Sequence, residues 1–148
     1  MPVSLTSPAD NAKAVEQLLS DLPLHRINPF RLVGVFSACD QINEWRWDLR
    51  NLDRKVHPWR PQQWISSGFN EPAAQRERSQ TFQRALKQTS VGSLDWLRRL
   101  HRSHAPATGP FSTCMHRTDA ATVSYTEVLV LGCNATLRHC AGSPCEHG

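Results

Sequence analysis

The sequence predicts an α+β fold, because helical and strand patterns occur in separate runs along its 148 residues. A helix comes first, then a group of strands, then two helices, then a second group of strands. Hydrophobic residues make up 39% of the chain and charged residues 20%, a composition that favours a packed core over disorder. We therefore expect a single domain over residues 1–148, with 141–148 as a flexible tail.

The first run of elements comprises one helix and three strands. Alanine, valine and leucine recur at helical spacing over residues 12–22. Residues 30–36 are rich in β-branched and aromatic side chains, which predicts a strand. Residues 43–48 alternate tryptophan with charged side chains, the period of a half-buried strand, and 52–57 is its expected hairpin partner.

The second run begins with a short predicted strand at 64–68 that ends in glycine. Asn70 and Ser93 are suitable N-caps, so we expect helices over 71–88 and 93–102. Three further strands are predicted after the Gly109-Pro110 break, at 111–116, 121–130 and 136–140.

The only dense group of reactive side chains runs from His101 to Thr126. Residues two apart on a strand share a face, so Ser112, Cys114 and His116 would point together. A register that pairs Cys114 with Ser124 would place the next strand's hydroxyls on the same surface, with Arg117 at its rim. These hydroxyls belong to Thr122, Ser124 and Thr126.

Three interpretations of this face stay open. It could line an active-site cleft in which Cys114 or His116 transfers protons or positions a substrate, with Arg117 and Ser124 beside them. It could bind zinc, since imidazole and thiolate are the usual ligands, but the His-x2-His-x9-Cys-x-His spacing of His101, His104, Cys114 and His116 is not that of a standard finger. It could also be structural, with Cys114 as a small buried hydrophobe. We expect no bound metal or cofactor.

A second candidate site lies at Ser66, Ser67 and Gly68, ahead of the helix at 71–88. A glycine turn before a helix N-terminus can hold an anion on backbone N–H groups. The alternative is an ordinary turn from strand to helix. We include Thr126 with these three residues as candidates for binding an unknown small molecule.

Charge and cysteine content restrict the environment and the partners. The net charge of +4 arises largely from residues 76–102, which are typical of solvated helices; without a recognisable nucleic-acid module, nucleic acid is not an expected partner. Five cysteines, an odd number without a Cys-x-x-Cys pair, predict free thiols in the cytoplasm. The chain shows neither a signal peptide nor the ~20-residue apolar run of a membrane helix, so no membrane association is expected.

Several of these stretches, in this order, resemble the C-terminal half of NRDE-family proteins, which are relatives of the transport and Golgi organisation proteins. The most specific is Gly-Pro-Phe-Ser-Thr-Cys-Met-His-Arg at 109–117, followed by Ala-Ala-Thr-Val-Ser at 120–124. The resemblance spans about residues 9–145, and its other parts are Pro29–Val33, the Trp-Arg-Trp-Asp stretch ending at Asp48, Ser66–Phe69 and Pro144-Cys145.

The resemblance implies a fold like the N-terminal-nucleophile hydrolases, with sheets stacked between helix layers. Family members begin Met-Cys and carry an Asn-Arg-Asp-Glu motif, whereas this chain begins Met1-Pro2 and lacks that motif. We therefore expect a truncated NRDE-type protein that lacks the N-terminal strands of the sandwich and has no independent catalysis. Exposed sheet edges would allow it to self-associate. The alternative is a module that binds a small ligand or a metal through the His101–His116 cluster.

Overall fold

A computed structural model describes residues 8–132 and 134–147. Met1 and Pro2, on which the expected lack of an N-terminal nucleophile depends, lie outside the described residues, as does Cys133. The α+β class is confirmed, with helices and two antiparallel sheets. The chain, predicted as one domain, divides after Arg60 into an N-terminal and a C-terminal unit. The layered sandwich implied by the resemblance stays a prediction.

The N-terminal unit consists of a helix and a three-stranded antiparallel sheet in the order β1-β2-β3. All three predicted strands form, and Trp47 pairs with Leu52 across the predicted hairpin. Helix α1 begins and ends earlier than the 12–22 pattern predicted. The elements are α1 (Pro8–Ser20), β1 (Phe30–Phe36), β2 (Gln41–Trp47) and β3 (Leu52–His57), with 3₁₀ helices at Leu24–Arg26 and Ser37–Cys39.

Trp45 on the central strand β2 is the centre of the hydrophobic core of this unit, and only 1% of its surface is exposed. It packs with Ala12 and Leu19 of α1. Burying a tryptophan removes about 150–250 Å² from water, which stabilises the fold by roughly 4–6 kcal/mol. Gly34 on β1 leaves space for this ring, because a Cβ there would lie 3.0 Å from Trp45 and from Phe36.

The C-terminal unit contains two helices and a two-stranded antiparallel sheet. Both predicted N-caps are confirmed, since Asn70 accepts from the Ala73 N–H and Ser93 from the Trp96 N–H. Helix α2 is shorter than the predicted 71–88. The elements are α2 (Glu71–Ala85), α3 (Leu94–Arg102), β4 (Ser124–Leu131), β5 (Asn134–Ala141) and a 3₁₀ helix at Pro144–Glu146.

The core of the C-terminal unit lies between its two helices. Phe82 and Ala85 of α2 pack against Trp96 and Leu100 of α3. The Trp96 indole N–H donates to the Ala85 carbonyl at 2.9 Å, so the polar edge of this buried ring has a partner.

A polar cluster connects α3 to strand β4. The buried carboxylate of Glu127 accepts two hydrogen bonds from Arg98, at 3.0 and 2.6 Å, and one from the Tyr125 hydroxyl at 3.0 Å. These partners hold the pKa of Glu127 at about 2. Burial, and then the Glu127 carboxylate, raise the pKa of Tyr125 to about 12.

Two predicted strands of this unit are wrong. Residues 64–68 form no strand, and 111–116 form turns apart from one bridge between His116 and Ala121. The predicted register is wrong as well, because Ser124 pairs with Ala141 and not with Cys114. The predicted strand at 121–130 begins only at Ser124. Before it, the Thr122 hydroxyl oxygen accepts a hydrogen bond from the Met115 N–H, and the Thr122 carbonyl accepts one from the Ser143 hydroxyl, in place of strand pairing.

The segment expected to be a flexible tail contains defined structure. Ala141 ends β5, and in the 3₁₀ helix that follows Pro144 is buried. No helix among the described residues has the length and apolar character needed to cross a bilayer.

Candidate metal centre

Four side chains of the C-terminal unit converge on one point. They are two imidazoles and two thiols, and their ligand atoms all lie within 4.8 Å of one another. His104 follows helix α3, and Cys114 and His116 lie in the long connecting loop, which we define as residues 103–123. Cys145 comes from the C-terminal 3₁₀ helix.

Backbone hydrogen bonds shape the connecting loop around Cys114 and His116. The Cys114 N–H donates to the Ser103 carbonyl at 3.0 Å, and the His116 N–H donates to the Gly109 carbonyl at 3.2 Å. Thr122 binds Met115 through its own N–H and through its hydroxyl oxygen, both at 2.9 Å. The loop therefore folds back on itself and presents both side chains together, although they do not lie on a strand.

Ser112 and Arg78 fix the loop from its other side. The Ser112 hydroxyl is completely buried and lies 2.6 Å from the Cys114 carbonyl. Arg78 of α2 donates to the Ser112 and Pro110 carbonyls, at 3.2 and 3.1 Å, and to the Ser66 carbonyl at 3.3 Å. One guanidinium thus satisfies two backbone acceptors of the irregular loop and a third, at Ser66, in the segment before α2.

A second set of bonds brings Cys145 to the loop. The Gly142 N–H donates to the Val123 carbonyl, and the Ser143 hydroxyl donates to the Thr122 carbonyl, both at 2.8 Å. Because Ser143 and Pro144 are buried, the end of the chain is held against the loop.

Two distances within the cluster match those of a tetrahedral zinc site. The Cys114 and Cys145 sulfurs lie 3.5 and 3.4 Å from the same His116 nitrogen, Nε2. Zn–S bonds of ~2.3 Å and Zn–N bonds of ~2.0–2.1 Å at a tetrahedral angle place sulfur and nitrogen about 3.5 Å apart. Each sulfur therefore lies at the distance from His116 Nε2 that shared coordination of one ion requires.

His104 completes the set. Its ring centre lies 5.1 Å from that of His116, with the two planes at 70°. The His104 Nε2 atom is buried and has no hydrogen-bond partner among the residues that the structure describes. A buried nitrogen without a partner is costly, and a bound cation would remove that cost.

The electrostatics of Cys114 disfavour a free thiolate. Burial is the main cause that raises the pKa of the Cys114 thiol, whose residue has no exposed surface. A buried neutral thiol is a poor nucleophile. A divalent cation reverses this balance, because it deprotonates the thiols that coordinate it.

The proposed catalytic set is only partly brought together. Cys114 and His116 are in contact, but Arg117 pairs with Asp119 and lies over the Phe69 ring at 4.8 Å. Ser124 is exposed and starts strand β4 opposite Ala141. The structure therefore brings together Cys114 and His116 of these four residues, while Arg117 and Ser124 contact other groups.

The observed cluster differs at one position from the zinc-binding set that the sequence suggested, which comprised His101, His104, Cys114 and His116. His101 stacks against Tyr125 with ring centres 5.1 Å apart, and burial lowers its pKa. Cys145 takes its place, which sequence reasoning missed. The available signal was a second thiol beside Pro144, but 29 residues separate it from His116, and only the folded loop brings them together.

The residues expected to bind a small ligand are spread over two places. Ser67 bonds to the backbone of Phe69, and Asn70 caps the helix that an anion would have approached. Thr126 bonds to His139 at 2.8 Å on the exposed sheet. Gly68 lies in the same turn as Ser67, and Ser66 accepts the hydrogen bond from Arg78.

Comparison with protein-family models, curated proteins and solved structures finds no match to this chain. These comparisons leave the NRDE resemblance untested.

Proposed function

We propose that the C-terminal unit is a zinc-binding module in which His104, Cys114, His116 and Cys145 bind one Zn²⁺. The observation that carries the proposal is the convergence of two thiols and two imidazoles from the connecting loop and the C-terminal 3₁₀ helix. These are the preferred ligand types of zinc, and two of each make a common structural set. This proposal replaces the expectation that no metal is bound.

The centre is structural rather than catalytic. Four protein ligands fill a tetrahedral coordination sphere, whereas catalytic zinc keeps one position for water or substrate. Cys114 has no exposed surface, so a substrate would have no direct approach to that side of the ion.

The architecture of the C-terminal unit gives the ion a role in folding. The connecting loop has one β-bridge over residues 103–123, whereas ordered loops longer than about 12–15 residues are uncommon. Zinc would tie the end of α3, this loop and the C-terminal segment to a single point. Because the unfolded chain offers no preformed site, the free energy of zinc binding would stabilise the folded unit.

The NRDE resemblance remains a separate proposal about ancestry. An NRDE-type protein is compatible with a structural zinc site, and neither proposal depends on the other. The Cys114 and His116 pair also has a composition that suits thiolate catalysis, but the raised pKa of the Cys114 thiol and its burial argue against that use.

Metal analysis of the purified full chain tests the zinc proposal. We expect about one zinc per chain after dialysis, because four-ligand sites bind zinc tightly at neutral pH. Cys114→Ser, Cys145→Ser and His104→Gln should each lose the ion. Cys140→Ser and His139→Gln are matched controls on strand β5, outside the cluster, and should retain it.

Cobalt provides an independent readout of geometry. Replacing zinc with Co²⁺ should give the intense visible bands of tetrahedral coordination together with thiolate charge-transfer bands, and Cys145→Ser should weaken the latter. A folded wild-type chain that binds neither zinc nor cobalt would refute the proposal. So would zinc retention in all three ligand variants.

A further inference from the structure

A second feature of the C-terminal unit is a cleft of about 650 Å³ beside the two helices. This volume lies within the ~300–1,000 Å³ typical of small-molecule sites. Its walls are largely apolar and include Ile65, Phe82, Trp96, Leu97, Leu100 and Val128.

The cleft lining contains a positively charged side chain and no negatively charged one. Arg78 is the only arginine or lysine among the lining residues, and no aspartate or glutamate lies among them. Its guanidinium donates to three neutral carbonyl groups, and it forms no ion pair with any residue that the structure describes. Burial lowers the pKa of His101, which also lines the cleft, and so disfavours a second positive charge there. The lining therefore carries one uncompensated positive charge in apolar surroundings, which favours an anionic group.

We propose that this cleft binds an amphipathic monocarboxylate, an apolar body joined to a carboxylate. The carboxylate would lie at Arg78, and the apolar body would contact the tryptophan and leucine walls. N-acylated amino acids have this chemistry.

The site is distinct from the zinc centre. Thr113 precedes the zinc ligand Cys114, and Arg78 holds the loop that carries both, but none of the four zinc ligands lines the cleft. The two proposals can therefore fail independently.

A matched pair of probes tests the chemistry. N-octanoylglycine has the acyl chain, N–H and carboxylate, whereas N-octanoylglycinamide replaces only the carboxylate with a neutral amide. Binding to the full chain is followed by calorimetry and by tryptophan fluorescence, since Trp64 and Trp96 line the cleft. We expect the acid to bind at least about tenfold more tightly than the amide, as a charge-assisted hydrogen bond predicts.

Variants locate the binding. Leu129→Trp should fill the cleft at a partly exposed position and weaken binding of the acid at least about tenfold. Arg78→Met should abolish the preference for the acid over the amide; because it also frees three carbonyls, circular dichroism and zinc content are measured on the same samples.

Three results would overturn the proposal. The first is equal affinity of the wild-type chain for acid and amide. The second is undiminished binding by a folded Leu129→Trp chain. The third is a lack of binding of the acid at millimolar concentration. Zinc content measured in the same samples separates each of these from failure of the metal proposal.

Discussion

The two units of this chain reach order by different physical means. In the N-terminal unit a regular three-stranded sheet and one helix enclose Trp45, and the sheet ladder satisfies most backbone groups. In the C-terminal unit the connecting loop is irregular, yet it contains the fully buried side chains of Ser112 and Cys114. Side-chain hydrogen bonds from Arg78, Ser112 and Thr122 serve there in place of a ladder.

This difference indicates where an ion would contribute most. A sheet-and-helix core gains stability from apolar burial, which needs no ligand. An irregular loop gains little from such burial and loses much conformational entropy on ordering. Convergence of four metal-ligating side chains on the irregular region, and not on the sheet, is what a structural zinc site would produce.

Of the changes predicted here, the loss of hydrogen-exchange protection on zinc chelation should be the largest, and it should be confined to one region. We expect a strong chelator to remove amide hydrogen-exchange protection from the connecting loop and the 3₁₀ helix at Pro144–Glu146, by a factor of 100 or more, on the order of 3 kcal/mol. Strand β2 should keep its protection. Mass spectrometry of deuterated peptides from both regions measures this.

Cys140→Ser provides the control, since it should respond to chelator like the wild type. Equal loss of protection in β2 and in the loop would show that the two regions unfold together and would remove the contrast between them. Unchanged protection of the loop would show that the ion, if bound, does not order it.

Elements with a local sequence signal could be predicted well. Strand β1 has its predicted bounds, and both N-caps are as expected, because β-branched and aromatic content and the capping side chains Asn70 and Ser93 act within a few residues. The strand prediction for 111–116 failed because its signal was local too. The hydrogen-bond partners of that segment include Ser103, Thr122 and Arg78, which lie outside it and cannot be inferred from spacing.

The same distinction explains the site. His104, Cys114 and His116 lie close together in sequence and could be singled out as a group. Cys145 could not, because its approach depends on β5 returning antiparallel to β4 and on Ser143 bonding to Thr122. His101 has the right residue type, but its position on α3 directs it to Tyr125. Spacing in the sequence cannot identify a metal ligand that reaches the site only through tertiary contacts.

The next prediction concerns the chain's single tyrosine, which gives an isolated optical signal. The pKa of Tyr125 is raised to about 12, first by burial and then by the Glu127 carboxylate. A raised pKa in the folded state stabilises the fold below the ordinary value of 10.0, and that contribution is lost as pH rises toward 12. Tyrosinate absorbance should therefore titrate near 12 in the native chain and near ~10 in denaturant.

Glu127→Gln sharpens this test. It removes the negative charge but not the burial, so the Tyr125 pKa should fall while staying above its ordinary value. A native titration indistinguishable from that in denaturant would mean that this polar cluster does not form in solution. This titration does not report on the N-terminal core, because its residues Ala12, Leu19 and Trp45 do not ionise.

A smaller effect is expected from Gly34→Ala in the N-terminal unit. The added methyl group would lie 3.0 Å from the Phe36 and Trp45 rings, closer than van der Waals contact allows. Overpacking of this kind destabilises by about 1–3 kcal/mol. Denaturant unfolding measures the loss, and zinc content should not change. Full wild-type stability would show that the sheet relaxes around the methyl group.

The smallest expected effect is that of Ser93→Ala at the start of α3. The Ser93 hydroxyl accepts a hydrogen bond from the Trp96 N–H at 3.1 Å, and alanine would leave that donor without a partner. Loss of a serine N-cap costs about 1 kcal/mol, whereas Ser93→Asp retains an acceptor and should cost less. Because Trp96 is in the core, its fluorescence can follow denaturant unfolding of this unit. If Ser93→Ala and Ser93→Asp unfold at the same denaturant concentration, the cap contributes nothing, and α3 depends on its core contacts alone.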